Sequence, residues 1–184
     1  MLQTEPMLLA YADPPYLGCG KRYRDNHEDA LIWDDPATHR ALIAELVDEY
    51  PDGWAMSLSS VSLRTILPMC PADVRVAAWV KPFAAFKRNV RNAYTWEPVI
   101  LRGGRVSSKT GAPVTRDHLA ESIQLRKGLT GAKPARFNRW ILHMLGYLPG
   151  DVLVDLFPGT GSMGEAVAAE SQTLAAAMNG ADAA

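Results

Sequence analysis

Two adjacent prolines end the first apolar run of this chain, and they limit what that run can be. Residues 7–12 read Met-Leu-Leu-Ala-Tyr-Ala, and Asp13, Pro14, Pro15 and Tyr16 follow at once. Proline has no N–H to give a β-ladder, so the run is a short buried strand that stops in a fixed turn. Similar strand-like runs recur at 54–58, 74–80, 94–101 and 152–156. Between them lie stretches with helical spacing. At 36–50, Leu42, Ile43, Leu46 and Val47 fall on one face behind Pro36, and Pro51-Asp52-Gly53 closes the segment. A short helix is expected at 60–67, stopped by Pro68. Another is expected at 134–148, with Trp140, Ile141, Met144 and Leu145 inward, before the turn Pro149-Gly150-Asp151. The Ala-rich stretch 164–178 reads as a last helix. Residues 18–35 read as loop. Residues 103–131 are polar, basic and Gly-containing, and read as a small insertion with a short helix near 117–125. Strands that alternate with helices predict an α/β fold around a mostly parallel sheet of about five strands.

The length of 184 residues predicts a single domain over 1–184, with 103–131 as its insertion. An apolar share of 48% with 21% charged residues builds a real core and excludes collagen, a disordered tail and a disulfide scaffold. Cys19 and Cys70 are too few for a thiolate metal cluster and read as free thiols of a reducing cytosol. No metal is expected. No apolar run approaches the roughly 20 residues of a membrane helix, and no export signal is expected at the N-terminus. Charge is uneven. Residues 1–80 carry 6 basic and 12 acidic side chains, net −6; 81–139 carry 13 and 3, net +10; 140–184 carry 0 and 5, net −5. A surface for a phosphate backbone needs such a local excess, and a solvated basic face shows one too.

Two loops carry chemistry. In Asp155-Leu156-Phe157-Pro158-Gly159-Thr160-Gly161-Ser162-Met163-Gly164, a buried strand runs into glycines and then a helix. Glycines let a ligand approach the backbone, and a helix N-terminus offers N–H groups to a negative group. The spacing also spells a dinucleotide fingerprint, but a nicotinamide enzyme would leave Asp13–Tyr16 without a use. The second loop is Asp13-Pro14-Pro15-Tyr16 itself, at the carboxyl end of a strand, where open α/β sheets bind ligands. A Pro-rich turn with a capping Asp needs no aromatic residue there.

With both loops in view, the chain resembles the amino-group methyltransferases, which methylate the exocyclic nitrogen of adenine or cytosine. Asp-Pro-Pro-Tyr is their catalytic motif. The loop 155–164 is similar to their S-adenosylmethionine loop, and Lys133-Pro134 to an additional cofactor motif. Catalytic motif first and cofactor loop last resembles the permuted class of DNA methyltransferases, often of phage or restriction–modification origin. RNA adenosine methyltransferases share that order but usually end the motif in Trp. The resemblance spans about residues 8–170 and implies a Rossmann-like methyltransferase sheet.

The resemblance assigns roles residue by residue. Asp13 and the Pro14 carbonyl would accept hydrogen bonds from the target amine, held in place by Pro14 and Pro15, and Tyr16 would stack on the base. Asp155 would bind the methionine ammonium, Phe157 would pack near the cofactor adenine, and Pro158, Gly159, Thr160, Gly161 and Ser162 would line the cofactor. Lys133 would face its carboxylate end, beside Pro134. The substrate would be DNA carrying a flipped or single-stranded adenine, adenine being preferred because relatives acting on cytosine more often have Ser at the position of Asp13. Other candidates rest on residue type and place rather than on the resemblance: His27, in a polar loop, would touch the base or its backbone, or sit in a surface loop. Lys81 would stand at the pocket rim, or simply end its strand. Lys87, Arg88, Arg91, Arg102, Arg105, Lys109, Arg116, Arg126 and Lys127 would meet phosphates as a group. Ser57, Ser59 and Ser60 read as capping groups, and His39 and His143 as structural. In the family two more strands follow the last helix, and the first of these holds the cofactor ribose. Their absence before residue 184 predicts an exposed edge at 152–156 and weak cofactor binding, unless a second copy or a partner chain covers that edge. The small insertion predicts loose sequence readout. An RNA methyltransferase and an inactive nucleic-acid-binding module of the same fold are the alternatives.

Overall fold

A computed structural model describes residues 5–23, 29–83, 90–106, 114–124 and 132–181. Its elements in chain order are β1 (Leu8–Ala12), α1 (Gly20–Tyr23), α2 (Pro36–Glu49), β2 (Gly53–Ser57), α3 (Leu63–Ile66), β3 (Arg75–Val80), β4 (Trp96–Gly103), β5 (His118–Ala120), α4 (Ala135–Leu145), β6 (Val152–Asp155) and α5 (Ser162–Ala181). Short 3-10 turns at Ala30–Asp34 and Leu67–Met69 complete the list.

All six strands join one sheet, in the order β5-β3-β4-β2-β1-β6. β1 pairs in parallel with β2 and β6, and β3 with β5. β4 runs antiparallel to both β2 and β3. The sheet is therefore more mixed than the alternation of elements predicts. β4 follows β3 without a helix among the described residues, so the chain simply reverses. The expected helix near 117–125 is instead β5. Leu119 is buried beside Trp79, whose indole N–H donates to the Glu121 carbonyl at 2.8 Å. The free edge of β3 supplied a ladder, and that tertiary partner outweighed local propensity.

Period-two alternation then builds two cores. Leu9, Tyr11, Ala55, Trp79 and Val99 face Phe137, Trp140, Ile141 and Leu145 of α4 and Met163 of α5. Ala10, Ala12, Trp54, Met56 and Ile100 face Leu42, Ile43 and Leu46 of α2 and Ile66 of α3. Helices thus cover both faces of the sheet. The Asp35 side chain accepts from the Ala37 N–H at 2.9 Å and caps α2. α4 ends at Gly146, whose φ of 66° lets Tyr147 N–H reach the Leu142 carbonyl at 3.0 Å. A Cβ there would also sit 2.8 Å from the Arg105 backbone carbonyl oxygen. Among the described residues β6 is an edge strand with Val152 exposed, as the sequence predicts.

Candidate active site

β1 and β6 are neighbours in register, Tyr11 opposite Asp155, and the Leu156 N–H extends the pairing to the Tyr11 carbonyl at 3.0 Å. The two loops singled out in the sequence therefore leave adjacent parallel strands at the same end of the sheet. β3 also ends there and β4 begins there. α4 starts above this corner.

Asp13 stands at the centre of a polar network. Lys133, just before α4, donates to Asp13 Oδ1 at 2.8 Å, to Oδ2 at 2.7 Å and to the Tyr16 hydroxyl at 3.0 Å. The Tyr16 hydroxyl has one proton and two carboxylates to give it to: Asp13 Oδ1 at 3.1 Å and Glu97 Oε2 at 2.9 Å. Glu97, at the start of β4, accepts from Lys81 at the end of β3 at 2.6 Å and lies 3.8 Å from Lys133. Two carboxylates and two ammonium groups thus meet in a half-closed corner, with the Lys133 side chain 8% and that of Asp13 22% exposed. The Lys133 ammonium also sits over the rings of Tyr16, Trp79 and Phe137 at 5.4–5.9 Å. Burial works to raise the Glu97 carboxyl, but Lys133 and Lys81 outweigh it and hold it below its usual range. Burial, then Asp13 and Glu97, push the Tyr16 phenol well up. Tyr11, bonded to Ser57 at 2.9 Å, is pushed up by burial and Asp13. Asp155 is raised by burial and by Asp13, against one hydrogen bond from the Phe157 N–H.

On its other side Lys133 lines a cleft of about 250 Å³ between the starts of α4 and α5, together with Gln124, Arg139, Thr160, Ser162 and Glu165. Gly159 and Gly161 have φ of 47° and 76°, in the left-handed region that favours glycine. A Cβ on Gly161 or Gly164 would meet no atom within 4 Å. The loop is therefore open where a ligand would lie. Phe157 packs edge-on to Trp33, with ring centres 5.1 Å apart. Pro134 is buried at the position before α4. Asn138 donates to the Ser162 hydroxyl at 3.1 Å and ties the two helix starts together.

Several expectations need correction. Lys133 meets the Asp13 carboxylate directly, not only the cleft. Lys81 is buried in its ion pair with Glu97, so it is no rim contact for phosphate. Arg102, Arg105 and Arg116 lie at the opposite end of the sheet from Asp13. Arg102 pairs with Asp73 at 2.9 Å and Arg105 with Asp151 at 2.6 Å. Among the described residues of 81–139, Arg102, Arg105, Lys133 and Arg139 are each answered by an acid from another segment. Arg91, in the connection from β3 to β4, is exposed. His27, Lys87, Arg88, Lys109, Arg126 and Lys127 fall outside the described residues. Ser59 and Ser62 bond each other at 2.6 Å, and His39 bonds the Trp33 carbonyl, so both groups are structural. His143 and Arg139 hold the buried Glu170 of α5. Glu97 was missed. Its one signal is a carboxylate inside an apolar strand, which obliges a buried partner.

No family model matches this sequence, and no curated protein matches it. Solved structures do. M1.HpyAVI in complex with SAM aligns with a TM-score of 0.57 at 17% identity, over 88% of this chain and 77% of that one. TTHA0409 from Thermus thermophilus, assigned as a DNA modification methylase and solved with S-adenosyl-L-methionine, aligns at 0.51 and 16%, over 91% and 80%. At these identities the likeness is one of fold, and the six-stranded sheet with its flanking helices is the α/β fold of these two proteins.

Proposed function

We propose that the chain is an S-adenosylmethionine-dependent methyltransferase of the permuted class, acting on the exocyclic amino group of adenine in DNA. One observation carries this reading. The Asp13 turn and the Gly159–Gly161 loop leave neighbouring strands at one end, and Lys133 touches both the Asp13 carboxylate and the cleft beside that loop. That two proteins of this fold were solved with the same methyl donor supports it.

The residues present fit the donor. Gly161 and Gly164 leave room above the backbone. The cleft is near the small end of ligand pockets, about 300 Å³ upward, a size suited to the amino-acid end of the molecule. Asp155, half-buried with its carboxyl raised, would hold an ammonium, and Thr160 and Ser162 the opposite end. When bound, S-adenosylmethionine supplies an electrophilic methyl on a sulfonium. The rest is done by the protein. The amine of adenine is a poor nucleophile because its lone pair is delocalised into the ring. Lys133 and Tyr16 take three of about four acceptor positions on Asp13, and the fourth would accept from the amine. The Pro14 carbonyl would take the second amine hydrogen and favour a tetrahedral nitrogen. Asp13 would receive the proton that nitrogen sheds on gaining the methyl. The adenine must be flipped or unpaired to reach this corner.

Methyl transfer from tritiated S-adenosylmethionine to DNA tests the reading. Asp13→Ala is expected to lower kcat by about 100-fold or more, in line with loss of a preorganised acceptor. Equal rates in the variant would sink the assignment. Digesting the product to nucleosides identifies the base, and RNA offered in parallel identifies the polymer.

A further inference from the structure

We propose that Glu97 is a positioning residue that sets the orientation and charge of Asp13 through Tyr16 and Lys133. The proposal rests on the function proposed above and adds a residue that none of its motifs contains.

Glu97 touches every member of the network except Asp13 itself. Its Oε2 takes the Tyr16 hydroxyl at 2.9 Å and faces the Lys133 ammonium at 3.8 Å, while Oε1 is held by Lys81 at 2.6 Å. The fork orients Glu97 from behind, since Lys81 and Glu97 leave neighbouring antiparallel strands, where Trp79 is opposite Glu97. Glu97 thereby does two things. It shares the single phenolic proton of Tyr16 with Asp13, so the hydroxyl bridges two carboxylates and the Tyr16 ring is pinned across the turn. It also supplies the second negative charge that two adjacent ammonium groups require. Without it, Asp13 would face the Lys133 and Lys81 ammonium groups with one carboxylate fewer, a weaker acceptor for an amine and a poorer home for its proton. A carboxylate placed only to neutralise Lys81 would need no contact with Tyr16 or Lys133.

The test compares wild type, Glu97→Gln and the double variant Glu97→Gln/Lys81→Met. The double variant removes the buried pair together, so that no lone ammonium is left inside. Two readouts are taken. In methyl transfer to DNA, Glu97→Gln is expected to lose about 10-fold or more in kcat, and the double variant, whose charges balance again, to lose less without regaining the full rate, because Tyr16 stays unpinned; KM for S-adenosylmethionine changes less than about 2-fold in both. Glu97→Asp, which keeps the charge at shorter reach, is expected to recover part of the loss. The second readout needs no turnover. Phenolate absorbance is followed against pH, and the signal of Tyr16 is isolated by subtracting the matching Tyr16→Phe variant. Removing the Glu97 charge is expected to bring the Tyr16 midpoint down toward the ordinary tyrosine range. An unmoved Tyr16 midpoint, or full kcat in the folded double variant, overturns the proposal. A wild type that methylates nothing refutes the function proposed above instead, and the titration still decides whether Glu97 governs Tyr16.

Discussion

Lys133 is the keystone of the corner, and its removal has a consequence that can be worked out. At 2.7 Å and an effective dielectric of about 20, its attraction to Asp13 is about 6 kcal/mol before desolvation is subtracted. Breaking a fully buried pair from one side costs about 3–5 kcal/mol, because the abandoned charge stays inside. The Asp13 side chain is 22% exposed, so water recovers some of this. Lys133→Met should therefore destabilise the fold by about 3 kcal/mol at pH 7, lowering Tm by about 6–12 °C at this chain length. The pH dependence follows from Glu97. Its folded pKa lies below the ordinary 4.5, so its stabilisation is present above that value and is lost as pH falls through the folded one. Lys133 is one of the two cations that lower it, and Lys133→Met raises it again. The gap between wild type and variant should accordingly narrow below about pH 4.5. Urea unfolding at pH 7 and at pH 4 measures both effects. A penalty under about 0.5 kcal/mol at pH 7, or a gap that widens in acid, would refute the reasoning.

Three further outcomes are expected. Gly161→Val forces a β-branched residue to φ of 76° and should cost about 1–2 kcal/mol while weakening S-adenosylmethionine binding, as calorimetry would report. Arg105→Met strips a cation from the buried Asp151 at the far end of the sheet, and should cost about 2–4 kcal/mol in urea unfolding but leave kcat unchanged. Arg91→Ala should weaken DNA binding and reduce the salt slope by about 1, whereas Arg102→Ala, which only loses Asp73, should change neither.

What could be read in advance was what short-range physics decides. Pro14 and Pro15 end β1 whatever lies beyond them, and the apolar face of 36–50 forms α2 with Pro36 at its first turn. The open loop at 159–164 calls for positive φ and free space above the backbone, and Gly159 and Gly161 supply both through residue type alone. Residues 118–120 were misread because their strand exists only where the edge of β3 passes, and nothing within those residues encodes that. Among the described residues, charge is dispersed for the same reason on a larger scale. Summing 81–139 counts Arg102, Arg105 and Lys133 as one basic surface, but each is answered by an acid from another part of the chain: Asp73, Asp151 and Asp13. A charge sum over a segment assumes that neighbours in sequence share solvent, and a sheet with crossover connections breaks that assumption.

Glu97 follows from the physics of its own strand. In Tyr-Thr-Trp-Glu-Pro-Val-Ile-Leu it is the one charge in a run that must enter a core. A carboxylate cannot be carried inside alone, so the sequence demands a cation at the same depth. Lys81 ends the preceding strand in Trp-Val-Lys-Pro, and two consecutive strands that pair antiparallel bring the end of one to the start of the other. The pair is thus derivable once β3 and β4 are taken as a reversal and not as a crossover. What remained beyond reach is that Tyr16 and Lys133, from segments 81 and 36 positions away, converge on the same oxygen atoms. That convergence depends on the sheet order and gives the corner its balance of charge.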